Sequence, residues 1–194
     1  MRLFIAVALP EQVKDAIEKA QEELRGALAE RSVRWTKRGQ FHLTLKFLGD
    51  VDPQRLDALT HAVGRACEGF GSLQLRAGRI GGFPDLRRPR VVWTRVHDER
   101  ERLPALQRAV ETAVAGFTAE TPEGAFTGHV TLGRCRTIKR SQAEILATLA
   151  GGMVNRSFGQ WTADRIEIIR SEMAPEGSRY TTVAEIPLGP VTVK

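Results

Sequence analysis

His42-Leu43-Thr44-Leu45 and His129-Val130-Thr131-Leu132 repeat one uncommon pattern, H-x-T-L, at positions 87 residues apart. An imidazole exchanges a proton near neutral pH, and a threonine hydroxyl donates a hydrogen bond to an anionic oxygen. Residues i and i+2 of a strand point to one face. Each copy therefore sets a histidine beside a threonine, with apolar residues on the reverse face. A single copy is short, and is met more often as a half-buried structural histidine. Two copies at matching places in the chain point instead to one shared site.

Two imidazoles at one site suit cleavage of a cyclic phosphodiester. One takes the proton of the attacking water, and the other protonates the departing ribose oxygen. The threonine hydroxyls can reach the non-bridging phosphate oxygens, where charge rises in the transition state. A metal is not expected, because His and Thr at i, i+2 are not a usual zinc set and no H-E-x-x-H or Cys/His cluster is present. No cofactor is expected either, and with no phosphate-binding P-loop and no activating lysine motif ATP-driven ligation is not expected. Cys135 reads as structural. His61 reads as solvated on the outer side of a helix, and His97 as part of a polar turn with Asp98, Glu99 and Arg100.

The elements that carry these motifs follow from periodicity and turn chemistry. A strand is predicted over Leu3–Leu9, then a helix over Pro10–Glu30 with Val13, Ile17, Ala20, Leu24 and Leu28 inward. A short strand at Val33–Trp35 precedes a strand over Phe41–Leu48, ended by Gly49-Asp50. A helix over Pro53–Glu68 turns Leu56, Leu59, Val63 and Ala66 inward. A strand over Leu73–Ile80 and a loop over Gly81–Pro89 come next. The order then restarts with a strand over Arg90–Val96, a helix over Glu101–Phe117 and a strand over Phe126–Cys135. A helix over Ser141–Leu149 is opened by a Ser141/Glu144 capping box. Strands at Arg165–Met173 and Arg179–Ile186 close the chain.

The restart is an internal repeat offset by about 87 residues. It implies an α+β fold in a single bilobal domain over residues 1–194. Two pseudo-two-fold-related lobes each carry an antiparallel sheet with helices on the outer face, and the active-site groove runs between them. Lys and Arg number 29 against 23 Asp and Glu, a net charge of +6, which favours an anionic partner. Lys46, Arg87, Arg88, Arg90 and Arg134 are the candidates for a basic rim. No apolar run nears the ~20 residues of a membrane span, and no signal peptide is visible. Two cysteines without a CxxC pair fit a reducing cytoplasm. A monomer is expected.

These motifs, with Arg2-Leu3-Phe4-Ile5-Ala6-Val7-Ala8-Leu9-Pro10, Val33-Arg34-Trp35, Phe47-Leu48-Gly49-Asp50, Phe83-Pro84, Pro89-Arg90-Val91-Val92-Trp93 and Gly177-Ser178-Arg179-Tyr180, carry a resemblance. The chain resembles the two-histidine phosphoesterase superfamily, and within it the bacterial and archaeal RNA 2′,3′-cyclic phosphodiesterases long labelled 2′-5′ RNA ligases. The resemblance implies hydrolysis of RNA 2′,3′-cyclic phosphate ends, or of small cyclic nucleotides, to a 2′-phosphomonoester without a metal. It implies His42 as general acid and His129 as general base. Thr44, Thr131 and Arg134 would contact the phosphate, and Phe47 would stack on a base. One departure is Gly128, where the family often has proline before the second histidine; glycine there is expected to loosen the approach to the strand. Two other readings stay open: joining of RNA ends through a 2′-5′ linkage, and a binding module for RNA ends without turnover.

Phe47 and Arg134 each stand five residues after a motif histidine. Strict alternation would turn both away from the histidines and bury the Arg134 charge at large cost. A bulge or sharp twist after each H-x-T-L is therefore expected, returning both side chains to the cleft.

Overall fold

The computed structural model describes residues 1–29, 32–121, 124–175 and 177–190. The chain runs β1 (Arg2–Ala8), α1 (Glu11–Ala27), β2 (Val33–Trp35), β3 (His42–Asp50), α2 (Leu56–Cys67), β4 (Leu73–Phe83) and β5 (Val91–Asp98). It continues with α3 (Arg102–Ala113), β6 (His129–Cys135), α4 (Arg140–Gly152), β7 (Ser157–Ala163), β8 (Arg165–Ala174) and β9 (Gly177–Pro187). All strand pairs are antiparallel, in the order β7-β4-β5-β6-β3-β1-β8-β9, and β2 lies against β6. The curled sheet is thus continuous, and its two halves meet where β3 and β6 pair at Leu43 and Val130.

Elements one repeat apart occupy matching places. β1 flanks β3 on one side of the junction and β5 flanks β6 on the other. Each repeat also lends a strand across. β4, which follows α2, pairs with β5, and β8, which follows α4, pairs with β1.

The helices sit on one face because each presents one apolar stripe. Val13, Ile17, Ala20 and Leu24 of α1, Leu59 and Val63 of α2, Leu103, Leu106 and Val110 of α3, and Leu146 of α4 share one core. Leu3, Ile5, Val7, Leu43, Val92, Val96, Val130 and Leu132 of the sheet complete it. Each such aliphatic side chain contributes roughly 1.5–3 kcal/mol on burial. β1 is covered on its other face too, where Phe4, Ala6 and Ile169 pack with Tyr180. The sheet face away from the helices is left for the site.

Several boundaries differ from the sequence expectation. β3 runs through Gly49 to Asp50 instead of turning there, since Gly49 takes a positive φ and still pairs with Leu3. β4 absorbs Gly81, Gly82 and Phe83 from the predicted loop, because β5 pairs with all three. His97 lies within β5 opposite Arg76, not in a polar turn. β7, absent from the sequence reading, pairs along β4. The predicted capping box does not form: α4 starts at Arg140, placing Ser141 inside the helix, and Glu144 accepts from Arg140 Nε. α1 ends at Ala27; the predicted end at Glu30 lies outside the described residues. In α2 the buried stripe is Leu59, Ala62, Val63 and Cys67, so Leu56 and Ala66 are only half-buried. β6 begins at His129, not Phe126.

Candidate active site

The two H-x-T-L copies start the two central strands of the sheet. Leu43 and Val130 point to the helices and are fully buried, while His42, Thr44, His129 and Thr131 are half-buried on the opposite face. Carrying the Leu43–Val130 register one residue either way sets His42 against Thr131 and Thr44 against His129. The four side chains that sequence singled out thus come together on one face.

Each imidazole is held in the same way. His42 Nδ1 lies 2.6 Å from the Gln40 carbonyl oxygen, and His129 Nδ1 lies 2.7 Å from that of Thr127. The carbonyl can only accept, so Nδ1 carries the proton. In the neutral ring Nε2 is then left with its lone pair free. Gln40 and Thr127 are themselves 87 positions apart, so the tether is part of the repeat.

The bulges expected from the sequence are found at matching residues. In β3, Ile5 pairs with Lys46 but Ala6 pairs with Thr44, which leaves Leu45 as the extra residue. In β6, Val92 pairs with Gly133 but Trp93 pairs with Thr131, which leaves Leu132 as the extra residue. Each bulge resets the alternation. Phe47 becomes 54% exposed, its ring 5.8 Å from that of Phe4, which in turn lies 4.8 Å from His42. Arg134 is exposed and close enough to His129 to act on its titration.

The same bulge removes Lys46 from the set of rim residues. Sequence alternation put Lys46 on the His42 face. Instead it turns to the helix side, 6% exposed, and its Nζ donates to Glu111 Oε1 and the Glu120 carbonyl, each at 2.6 Å. Arg87, Arg88 and Arg90 are exposed as expected, the backbone N–H groups of the first two held by Asp85 Oδ1.

Two buried glutamines support the bulges, and sequence reading missed them. Gln21 of α1 donates from Nε2 to the carbonyl oxygens of Leu132 and Thr36, both at 2.8 Å. Gln107 of α3 donates from Nε2 to the Leu45 carbonyl at 3.4 Å and to Glu111 Oε2 at 3.3 Å. In each half a helix glutamine thus donates to the carbonyl of the bulged leucine; the Leu132 carbonyl also accepts the Thr36 backbone N–H at 2.8 Å. The available signal was one glutamine inside the apolar stripe of each of two repeat-related helices.

Aromatic rings border both histidines. Tyr180 meets His42 edge-on at 5.3 Å, and Phe83 meets His129 likewise at 5.0 Å. Trp93 lies 5.0 Å from Phe83, and a Cβ on Gly81 would run into its ring. Gly128 is likewise set by close approach: a Cβ there would collide with the Val96 carbonyl, whose own N–H donates to the Gly128 carbonyl. The glycine seats the strand against β5 instead of loosening it.

Burial lowers the pKa of both histidines. His42 is pushed down to about 4, mainly by burial and further by the neighbouring His129; the carbonyl of Gln40 opposes this. His129 is lowered by burial and by the positive charge of Arg134, opposed by the Thr127 carbonyl. Arg134 thus distinguishes the two rings, favouring a neutral His129. Burial pushes the Cys135 thiol up, which suits a structural residue rather than a nucleophile. Among the described residues no group of three or more His, Cys, Asp or Glu side chains gathers as a metal site.

The chain as a whole is similar to known proteins. The LigT like Phosphoesterase family matches residues 7–93. An RNA 2′,3′-cyclic phosphodiesterase of Methanothermobacter thermautotrophicus is 32% identical over 183 residues, covering 93% of this chain and 95% of that protein. Another, from Thermotoga maritima, is 28% identical over 95% of this chain and 94% of its own. Among solved structures, TT0787 of Thermus thermophilus superposes with a TM-score of 0.76 at 26% identity, covering 98% and 99% of the two chains. E. coli LigT complexed with 3′-AMP shares the fold, with a TM-score of 0.74 at 23% identity over 96% and 97%.

Proposed function

The chain belongs to the LigT-like phosphoesterase family, and from that premise we propose that it opens RNA 2′,3′-cyclic phosphates with His42 and His129 as acid and base. The activity is hydrolysis of the cyclic phosphodiester. The observation that carries the mechanism is the matched pair of imidazoles, each tied at Nδ1 to a carbonyl two residues upstream.

His129 Nε2 takes a proton from water as its oxygen attacks phosphorus. The bond from phosphorus to O3′ breaks, and His42 Nε2 gives its proton to that oxygen. A 2′-phosphomonoester remains. Thr44, Thr131 and Arg134 hold the non-bridging oxygens. Phe47, exposed at the cleft, stacks on the terminal base. The mechanism uses no metal and no cofactor.

Burial, helped by the charge of Arg134, lowers the His129 pKa and so favours the neutral ring a base requires. His42 must be protonated to act as acid, yet its pKa in the empty cleft is about 4. An anionic phosphate between the rings raises it, so substrate binding is accompanied by uptake of a proton from solvent onto His42.

The duplicated strands, tethers and bulges support reading the chain as one bilobal domain built on an 87-residue repeat. A monomer in a reducing cytoplasm fits the free Cys67 and Cys135. No helix among the described residues is long and apolar enough to cross a membrane.

The deciding experiment uses an oligonucleotide ending in a 2′,3′-cyclic phosphate, with 2′- and 3′-phosphate products resolved. A 2′-phosphate formed in the presence of EDTA is expected. A 3′-phosphate would reverse the leaving oxygen. Loss of turnover on chelation, restored by a divalent ion, would overturn the metal-free mechanism. Binding without product would favour an end-binding module, and a joined 2′-5′ product would favour ligation.

A further inference from the structure

The two histidines have unlike neighbours across the strand. His42 pairs with Ala8 of β1, whereas His129 pairs with Arg95 of β5. Ala8 and Arg95 are one repeat apart, so the arginine is not demanded by the pseudo-symmetric fold. Directly paired residues share a face, which places Arg95 on the histidine side of the sheet. Arg95 is exposed. Its other cross-strand partner is Gly78 of β4, and the next residue, Arg79, is the extra residue of a bulge. Arg79 has φ 56, a left-handed conformation uncommon outside glycine, and it too is exposed. Neither arginine side chain has a hydrogen bond or ion pair among the described residues. A guanidinium group therefore stands beside His129, where the other half presents alanine, and a second follows on the next strand outward.

The cleft has a direction as well. β3 runs antiparallel to β6, so Phe47, downstream of Thr44, lies toward the end of β6 where Arg95 stands. The wall around Phe47 is apolar, with Phe4, Ala6 and Ile169 buried behind it. A terminal base on Phe47 would leave the ribose 5′-oxygen to continue toward the opposite, arginine-bearing wall.

We propose that Arg95 and Arg79 form a backbone track that binds the phosphates upstream of the cyclic end, making a single-stranded oligoribonucleotide the preferred substrate over a cyclic mononucleotide. The proposal rests on the phosphodiesterase reading, and its test separates the two. A mononucleotide reaches the histidines, threonines and Phe47 but has no upstream phosphate for the track. Guanidinium–phosphate contacts release counterions, so the oligonucleotide advantage falls as salt rises.

The experiment measures kcat/KM for a 2′,3′-cyclic mononucleotide and for a five-nucleotide RNA ending in a 2′,3′-cyclic phosphate, at low and high salt. Wild type is expected to favour the oligonucleotide by about tenfold or more at low salt. Arg79→Ala combined with Arg95→Ala should remove that preference and its salt dependence, leaving the mononucleotide rate within about twofold. An equal preference in wild type and variant would overturn the track. So would equal losses on both substrates, which would place the arginines at the reacting phosphate. If wild type opens neither substrate, the phosphodiesterase reading fails by itself. The track is then judged by anisotropy with a labelled five-nucleotide RNA bearing a 3′-phosphate: weaker binding by the double variant supports it, and unchanged binding overturns it.

Discussion

Leu43 of β3 and Val130 of β6 form the single registered pair that joins the two halves of the sheet among the described residues. Both side chains are 0% exposed, and each immediately follows a motif histidine. The spacing of the two imidazoles is therefore set by a core contact on the far side of the sheet. Leu43→Ala should lower stability by about 2–5 kcal/mol, the usual range for a buried leucine. It should also lower kcat at temperatures where the fold persists. Denaturant midpoints and single-turnover rates would check this. A destabilised variant with an unchanged rate would mean that the junction does not set the site.

The proton balance predicts unlike pH profiles for the free and bound enzyme. With His42 at about 4 and His129 lowered, the empty cleft holds two neutral rings at pH 7. Bound phosphate raises the His42 pKa because it favours the charged ring. The alkaline limb of kcat, which reports the complex, should therefore lie at higher pH than that of kcat/KM, which reports the free enzyme. NMR of the imidazoles with and without a nucleoside 2′-phosphate would read the same shift directly. Coincident limbs and an unmoved His42 resonance would contradict the assignment of acid and base.

Lys46 separates charge used for folding from charge used for binding. Its ammonium bridges β3 to Glu111 of α3 and to the Glu120 carbonyl, away from the cleft. Lys46→Met should lower the melting temperature, because it removes the ammonium partner of Glu111 and leaves only Gln107 Nε2 donating to that carboxylate. It should not change the salt dependence of RNA binding. A reduced salt slope would return Lys46 to the rim.

The residues five places beyond the histidines should divide binding from catalysis. Phe47→Ala should raise KM more than it lowers kcat, since the ring is exposed and available for stacking. Phe47→Leu keeps apolar bulk without a ring face, and should restore little. Arg134→Lys should stay impaired, because a point charge cannot replace a planar fork on phosphate. Full affinity in Phe47→Leu would reduce Phe47 to packing.

The site was legible in the sequence to the extent that it is duplicated. His42 and His129 gained meaning from each other, and the strand period placed the threonines beside them. The bulges were legible from the cost of burying Arg134, a long-range argument made from one charge. What stayed hidden depends on pairing between distant segments. Gly81 and Gly82 read as a loop because nothing local says that Trp93 needs a bare backbone at Gly81, or that the Asp85 carbonyl closes on Gly82. Lys46 was misplaced because alternation fails one residue earlier than Phe47 reveals it. β7 has its alternation broken by Gly159 at a positive φ, so Phe158 falls out of step with Trp161 and Ala163, and its pairing with β4 makes it a strand.

Gln21 and Gln107 provide the test of how the bulges act. Each lies within the apolar stripe of its helix, 5% and 8% exposed, and each donates to the carbonyl of the bulged leucine in a motif strand. The two bonds cross between repeats, α1 to β6 and α3 to β3. Removing Gln107 takes a donor from the Leu45 carbonyl, and removing Gln21 takes one from the Thr36 carbonyl and leaves Leu132 with only the Thr36 N–H; a buried carbonyl short of a donor costs about 1–3 kcal/mol. That cost alone would be purely structural. A positioning role predicts more. Without its donor the bulge can shift, and the side chain it redirects loses its place in the cleft. Gln21→Leu should therefore resemble a weak Arg134 variant, with kcat lowered and the acid limb, which reports the base His129, moved upward as Arg134 withdraws its charge. Gln107→Leu should resemble a weak Phe47 variant, with KM raised and kcat nearly kept. Glutamate at either place keeps the shape, but an ionised carboxylate is not a donor and should not rescue. If both leucine variants lose stability equally and show the same kinetic change, the glutamines fasten helices to the sheet and do not tune the two halves of the site.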